Sequence, residues 1–187
     1  DEIPIAVASL GQKSVETTAE LADAWLPVFW LAGKSEERWG EALRRGASRR
    51  DAQRKPLDIH VGGLVAIGEG LEHLRDRGRP QMALYVGGMG AREKNFYNDV
   101  FSSYGYEQEA KDIQDLFLAG KREEAAAAIP DDFIEKTTLV GPEGFVRDRL
   151  QALRESGVTS LNVSFAGENT EQRVAMLGRL QEVIATL

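Results

Sequence analysis

The opening of the chain constrains its fold most, because an apolar run is followed at once by a turn and a helical pattern. The run Ile3–Ala8 is continuously apolar and predicts a buried strand of a parallel sheet. A turn at Ser9-Leu10-Gly11 follows, and Ser14 is a candidate N-cap of the next helix. Such a βα unit presents backbone N–H groups at a helix start, where a phosphate or another anion binds readily.

Other apolar runs predict three further strands, at Leu57–Ile67, Thr138–Val140 and Thr159–Phe165. In the first of these, Gly62 and Gly63 permit a bulge or a close approach of another backbone. The aromatic run Trp25–Trp30 contains Pro27, and we expect an extended connection there that lines a rim.

Helical spacing accounts for most of the remaining sequence. We expect helices that begin near Val15, Ser35, Leu71, Gln81, Tyr97, Tyr106, Glu123, Glu143 and Asn169. The helix from Ser35 carries Trp39 inward and ends in an arginine cluster that we interpret as solvated. The segment of about residues 80–137 lacks strand signals, so it predicts a helical insertion.

The predicted order is four βα units interrupted by that insertion. Alternating strands and helices favour an α/β fold with a parallel sheet and helices outside it. A (β/α)₈ barrel typically needs about 250 residues, so a single domain of 187 residues with four units and an insertion matches half of such a barrel.

Composition excludes several kinds of function. The net charge of −7 argues against a broad nucleic-acid surface, although it does not exclude a local basic pocket. The chain has no cysteine and two histidines, His60 and His73, which argues against disulfides, thiolate catalysis and multi-histidine metal sites. Since no apolar run reaches the roughly 20 residues of a membrane span and no signal peptide is visible, we expect a cytoplasmic protein.

Two segments could carry chemistry. The turn from Ser9 to Lys13 combines free N–H groups, a helix dipole and a lysine, but without a diagnostic glycine motif the spacing alone slightly favours an ordinary βα turn. The segment Gly87–Gly90, followed by Arg92, could be a mobile loop that closes over a ligand or a simple connection between helices. His60 and Glu143 are better explained as structural residues, and the sequence contains no arrangement typical of a catalytic triad or metal site.

Several segments resemble the luciferase-like monooxygenase family, and especially its oxidoreductases that use the deazaflavin coenzyme F420. They are spread in order over essentially the whole chain: Ile3–Gly11, Glu20–Pro27, Ala83–Gly90, Asn95–Asn98, Tyr104–Tyr106, Ile113–Leu116, Ala125–Pro130, Leu139–Gly144 and Gly157–Val163. One departure is Asp23-Ala24, where the family often has Asp-Gly.

The resemblance implies a (β/α)₈ barrel of which this chain is the C-terminal half. It implies hydride transfer between coenzyme F420 and a small organic substrate, with an FMN-dependent monooxygenase as the alternative within the family. The family's phosphate-binding turn maps onto Ala8, Ser9, Leu10 and Gly11, and we add Lys13 because of its charge. By the same resemblance, Gly87, Gly88 and Arg92 would lie near the substrate or at a subunit contact.

The resemblance also implies that the family's ring contacts and catalytic side chains precede residue 1. Because Asp1 is not a methionine and a strand pattern follows within two residues, we expect preceding sequence. A half-barrel has open strand edges and an uncovered interior, so we expect a homodimer or pairing with the other half. The alternative is a truncated, non-catalytic binding or interaction module.

Overall fold

Short strands alternate with helices along the chain in a computed structural model, which describes residues 3–187. The strands in this range are Ala6–Val7 (β1), Ala24–Trp25 (β2), Asp58–Val61 (β3), Leu64–Ile67 (β4), Leu139–Gly141 (β5), Ser160–Leu161 (β6) and Ser164–Phe165 (β7). Neighbouring strands pair in parallel, as the alternation of strands and helices predicts. The α/β class with parallel sheets is therefore confirmed.

Helices occupy most of the sequence between the strands. They are Gln12–Leu21 (α1), Lys34–Arg49 (α2), Arg79–Gly88 (α3), Phe96–Ser103 (α4), Glu107–Leu118 (α5), Arg122–Ala127 (α6), Asp131–Lys136 (α7), Glu143–Glu155 (α8) and Thr170–Ile184 (α9). A 3₁₀ helix covers Glu72–Gly78, where the pattern around Leu71 predicts an ordinary helix. The run α3–α7 lies between β4 and β5, where the sequence predicts a helical segment.

Two compact units divide the chain. The first runs to Val61 and includes Arg154–Leu161, and it contains a parallel sheet in the order β1-β2-β3-β6. The second comprises Gly62–Leu153 and Asn162–Leu187, and its sheet has the order β5-β4-β7. The four-stranded sheet thus has the predicted number of strands but different members, because β2 belongs to it and β5 does not.

Two of the predicted strands are each divided into two shorter strands in the structure. The run Leu57–Ile67 contains β3 and β4, and Thr159–Phe165 contains β6 and β7. In the second unit, Gly62 lies so close to Asn162 that a Cβ would be 1.9 Å from its carbonyl oxygen. Only glycine permits this approach, and regular pairing is interrupted there.

The prediction of a long buried strand at Ile3–Ala8 is wrong. Only Ala6–Val7 is a strand, and Ile3 and Ile5 are 88% and 58% exposed. Within the described residues β1 pairs only with β2, so its other edge has no strand partner there.

Two further local predictions need correction. The expected extended connection at Trp25–Trp30 begins with β2, a central strand of the first sheet in which Trp25 is fully buried. The N-cap of α1 is Gly11, and Ser14 lies inside the helix, where its hydroxyl donates to the Gly11 carbonyl at 2.8 Å. The inner face of α1 follows helical spacing, since Val15, Thr18 and Ala19 are buried, as is Ala22 directly after the helix.

Candidate functional site

The predicted anion-binding turn joins the carboxyl end of β1 to the start of α1. Ala8 is exposed, whereas Ser9, Leu10 and Gly11 are half-buried. Lys13 lies exposed in the first turn of the helix. All of the residues proposed from the sequence as coenzyme contacts therefore lie at one end of the four-stranded sheet, at the side where ligands bind in parallel α/β folds.

Two buried indoles determine how the turn is oriented. The Trp25 Nε1–H group donates to the Ser9 carbonyl at 2.9 Å, and the Trp39 Nε1–H group donates to the Leu10 carbonyl at 3.0 Å. Both tryptophan side chains are fully buried. In a trans peptide the N–H points opposite to the C=O. The N–H groups of Leu10 and Gly11 therefore point away from the aromatic cluster, and they can donate to an anion.

The Ser9 hydroxyl is already used inside the protein. Its Oγ lies 3.0 Å from the Thr18 Oγ1, and the Thr18 hydroxyl donates to the Ser14 carbonyl at 2.7 Å. Since the Thr18 proton is taken, Ser9 must donate its own proton to Thr18. The backbone of Ser9, and not its hydroxyl proton, is therefore available to a ligand.

The start of α1 is electrostatically suited to an anion. In the described part of the chain no side chain caps this end, and its first turn has no acidic residue. The first helical hydrogen bond runs from the Val15 N–H to the Gly11 carbonyl, so the preceding N–H groups have no partner within the helix. The helix dipole places about half a positive charge here, and Lys13 adds a full one. The turn fits a phosphate group.

The three tryptophans form one cluster beneath the turn. Trp39 stacks on Trp30 with ring centroids 6.3 Å apart and meets Trp25 edge-to-face at 5.3 Å. The Trp30 indole donates to the Ser156 hydroxyl at 2.9 Å. Sequence reasoning missed Trp25 and Trp39 as residues that hold the turn. The available signal was that a buried indole N–H needs an acceptor.

Ion pairs between α1 and α2 support the same helix. Arg45 and Arg49 both bind the Glu16 carboxylate, and Arg49 also binds Glu20. The hydrogen bond from Arg45, followed by that from Arg49, lowers the pKa of Glu16 below its ordinary value. At the other end of α1, Arg50 Nη1 donates to the Ala19 and Ala22 carbonyls at 3.0 and 2.7 Å. The arginine cluster that the sequence indicated as solvated therefore contacts α1 directly.

The glycine segment considered as a mobile loop is partly helical. Gly87 and Gly88 form the end of α3, and a Cβ on them would lie 2.5 and 2.4 Å from atoms of Phe117 in α5. The glycines therefore allow α3 and α5 to pack closely. Arg92, beyond the helix, forms an ion pair with Asp115. These residues belong to the second unit, whereas the turn belongs to the first.

Other residues of interest have structural surroundings. His60 lies half-buried in β3, and Glu143 opens α8 and pairs with Arg147 at 2.7 Å. Among residues 3–187 there is no cluster of three acidic or histidine side chains able to hold a metal ion. In that range there is likewise no helix long and apolar enough to cross a membrane.

Comparison with known proteins identifies the family of the chain and shows that a relative is about twice as long. A model of the family described as luciferase-like monooxygenase matches residues 1–160. A Mycobacterium tuberculosis protein named "Putative coenzyme F420-dependent oxidoreductase" is 34% identical over 179 residues. The match covers 94% of this chain and 51% of the relative, so the chain spans about half the length of that protein.

Solved structures with a similar fold are also about twice as long. The coenzyme F420-dependent tetrahydromethanopterin reductase from Methanopyrus kandleri superposes with a TM-score of 0.70 at 21% identity, covering 98% of this chain and 51% of that chain. An F420-dependent secondary alcohol dehydrogenase, solved with an F420-acetone adduct, gives a TM-score of 0.66 at 11% identity, with 98% and 49% covered. At these identities the likeness concerns the fold alone.

Proposed function

The chain belongs to the luciferase-like monooxygenase family, and we propose that it is the C-terminal portion of an oxidoreductase that transfers a hydride between coenzyme F420 and a small organic substrate. Relatives named as F420-dependent enzymes, each about twice as long, support this proposal. The uncovered edge of β1, with exposed Ile3 and Ile5, supports a missing neighbour: further βα units or a second copy of the chain.

The orientation of the Ser9–Gly11 turn is the observation that carries the assignment. Two indoles hold its carbonyls inward, so its N–H groups point outward at an uncapped helix start. In this proposal the backbone of Ala8, Ser9, Leu10 and Gly11 binds the phosphate-bearing tail of the coenzyme. Lys13 adds an attractive charge.

When bound, coenzyme F420 supplies the hydride chemistry, and the protein supplies binding and orientation. By holding the tail, this chain fixes where the reactive ring can lie. Gly87, Gly88 and Arg92 would contribute on the substrate side or to a subunit contact. We assign no catalytic residue within the chain, and in this proposal the catalytic side chains lie in the other half of the protein.

A fluorescence titration tests the proposal on the longest natural protein that contains this sequence. We expect saturable binding of F420, and weaker binding of FMN measured in parallel. Tight binding of FMN alone would favour the FMN-dependent alternative. Binding of neither would support a non-catalytic module and refute the proposed function.

Substitution of Gly11 tests the turn itself. Gly11→Asp places a carboxylate on the N–H groups, and we expect at least a tenfold loss of F420 affinity from charge repulsion. Gly11→Asn is the matched control, because it caps the helix equally well without a charge. Both variants should keep or slightly raise the free energy of unfolding. The gain should be roughly a few tenths of a kcal/mol, the usual difference between glycine and Asp or Asn at an N-cap. Equal affinities of the Asp and Asn variants would rule out an anion at this turn.

A further inference from the structure

A cavity in the second unit is separate from the residues discussed so far. It has a volume of about 600 Å³ and lies beside Ala66 of β4, the residues that follow β7, the 3₁₀ helix and α9. Sites for small organic molecules usually have volumes of about 300–1,000 Å³. Ligands of parallel α/β folds bind beyond the carboxyl ends of the strands, where Ala166 and Gly167 directly follow β7.

Small and apolar residues form one part of the lining. Leu71, Leu74 and Met176 line it together with three alanines, Ala66, Ala166 and Ala175. Ala66 and Ala166 are buried in a cluster against which Leu71 and Leu74 pack. Because alanine methyl groups leave space that larger side chains would fill, the apolar part of the cavity stays open.

Two arginines, Arg77 and Arg179, form a cationic part of the lining. Neither has a carboxylate partner within salt-bridge distance among the described residues, although Arg75, Arg79 and Arg147 of the same unit do. Arg179 Nη1 donates to the Ile67 carbonyl at 2.6 Å, which holds its guanidinium in place. Each guanidinium has five N–H donors, so both retain donors for a ligand.

One carboxylate, that of Glu168, also lines the cavity. Its backbone N–H donates to the Gln172 Oε1 at 2.7 Å, which ties this loop to the start of α9. Two arginines against one glutamate still leave a net positive lining, within a chain whose net charge is −7. Arginine forks match the geometry of carboxylate and phosphate oxygens.

We propose that this cavity binds a small organic anion, one with a phosphate or carboxylate group on an apolar body. Arg77 and Arg179 bind the anionic group, and the alanine and leucine side chains contact the apolar body. This site goes beyond the proposed function and does not depend on the Ser9–Gly11 turn. The anion can come from a separate small molecule or from the coenzyme tail, and the test distinguishes these two sources.

Phenyl phosphate is a suitable probe, because it joins a phosphate to a compact apolar ring. We expect saturable binding to the ¹⁵N-labelled longest natural protein that contains this sequence, with amide shifts at Gly167 and Glu168, and about tenfold weaker binding of inorganic phosphate. Arg77→Gln should weaken phenyl phosphate binding about ten- to a hundredfold, the usual effect of losing a charged hydrogen-bond partner. Arg44→Gln, an exposed change in α2, is the matched control and should have no effect.

Two further variants separate the roles of the lining. Arg179→Lys keeps the charge and should retain more affinity than Arg179→Gln. Ala175→Phe, at an exposed position of α9, fills the apolar part, so it should weaken phenyl phosphate binding but not that of inorganic phosphate. Competition by F420 would assign the anion to the coenzyme tail, and its absence to a separate small molecule. Lack of saturable phenyl phosphate binding, or equal affinity in Arg77→Gln, would overturn the proposal.

Discussion

Replacing Trp39 by phenylalanine tests how the anion-binding turn is held. The Trp39 ring is fully buried between two other indoles, and its Nε1–H group is the donor to the Leu10 carbonyl at 3.0 Å. Trp39→Phe keeps an aromatic ring but removes this donor. The peptide that joins Leu10 to Gly11 is then free to rotate, and its N–H loses its fixed outward direction.

The free energy of unfolding should fall by about 2–3 kcal/mol. Leaving the part-buried Leu10 carbonyl without its donor costs about 1–2 kcal/mol, in the lower part of the range for such groups. The smaller ring leaves a void, and at about 24 cal/mol per Å³ a void of roughly 40 Å³ adds about 1 kcal/mol.

Trp30→Phe is the matched control. It leaves a similar void in the same cluster and removes the hydrogen bond to Ser156, but both indole hydrogen bonds to the turn remain. Urea unfolding can be followed by the fluorescence of the two remaining indoles, because all three tryptophans lie in the first unit. Amide spectra then report the turn directly. We expect shifts at Leu10, Gly11 and Gln12 in Trp39→Phe and unchanged positions in Trp30→Phe.

The reasoning would be refuted by either of two results. One is a loss of stability below about 0.5 kcal/mol in Trp39→Phe, the lower limit for a net hydrogen bond. The other is an equal set of amide shifts in the two variants. Either result would mean that the indole does not fix the turn.

Two further predictions concern the helices. The hydrogen bonds from Arg45 and Arg49 lower the pKa of Glu16 in the folded state. Ionised Glu16 therefore stabilises the fold fully above its unfolded-state pKa, and this contribution is lost as the pH falls through its folded-state pKa. Glu16→Gln should therefore flatten the acid-side fall of the urea midpoint. Gly87→Ala should destabilise by about 1–3 kcal/mol, against the usual helix preference for alanine, because its methyl meets the Phe117 Cβ. The methyl of Gly88→Ala would instead meet the ring of Phe117. Adding Phe117→Ala removes this ring but keeps the Cβ, so it should restore the stability lost in Gly88→Ala but not that lost in Gly87→Ala.

Each of these predictions has a result that would contradict it, and Glu16→Gln also has a control variant. Glu123→Gln, an exposed change in α6, should leave the acid-side slope unchanged, and an equal slope in wild type and Glu16→Gln would contradict the role of the arginines. For the glycines, full relief of Gly87→Ala by Phe117→Ala would show that the ring, and not the Cβ, is the obstacle.

Periodicity was a good guide to the helices and a poorer one to the strands. The faces of α1, α4 and α5 follow helical spacing, so their buried residues could be read directly from the sequence. Gly62-Gly63 marks an irregularity between β3 and β4, but nothing local shows that β3 and β4, or β6 and β7, join different sheets. The close approach of Gly62 to Asn162 is a contact between residues 100 positions apart, which no window of sequence contains.

The position of the candidate site could be predicted from the sequence, but the orientation of its N–H groups could not. The small residues after β1 and the helix that follows allow an anion-binding turn at Ser9–Gly11, and the family resemblance favours it. The direction of its N–H groups depends on Trp25 and Trp39, which are brought in by β2 and α2. Gly87 and Gly88 illustrate the opposite case, since adjacent glycines suggest a flexible loop whereas here they permit close helix packing.

A structure of the F420 complex of the longest natural protein containing this sequence tests the central claim most directly. We predict that the coenzyme phosphate lies within hydrogen-bond distance of the Leu10 and Gly11 N–H groups, near the start of α1. A phosphate bound elsewhere, with this turn unoccupied, would contradict the account.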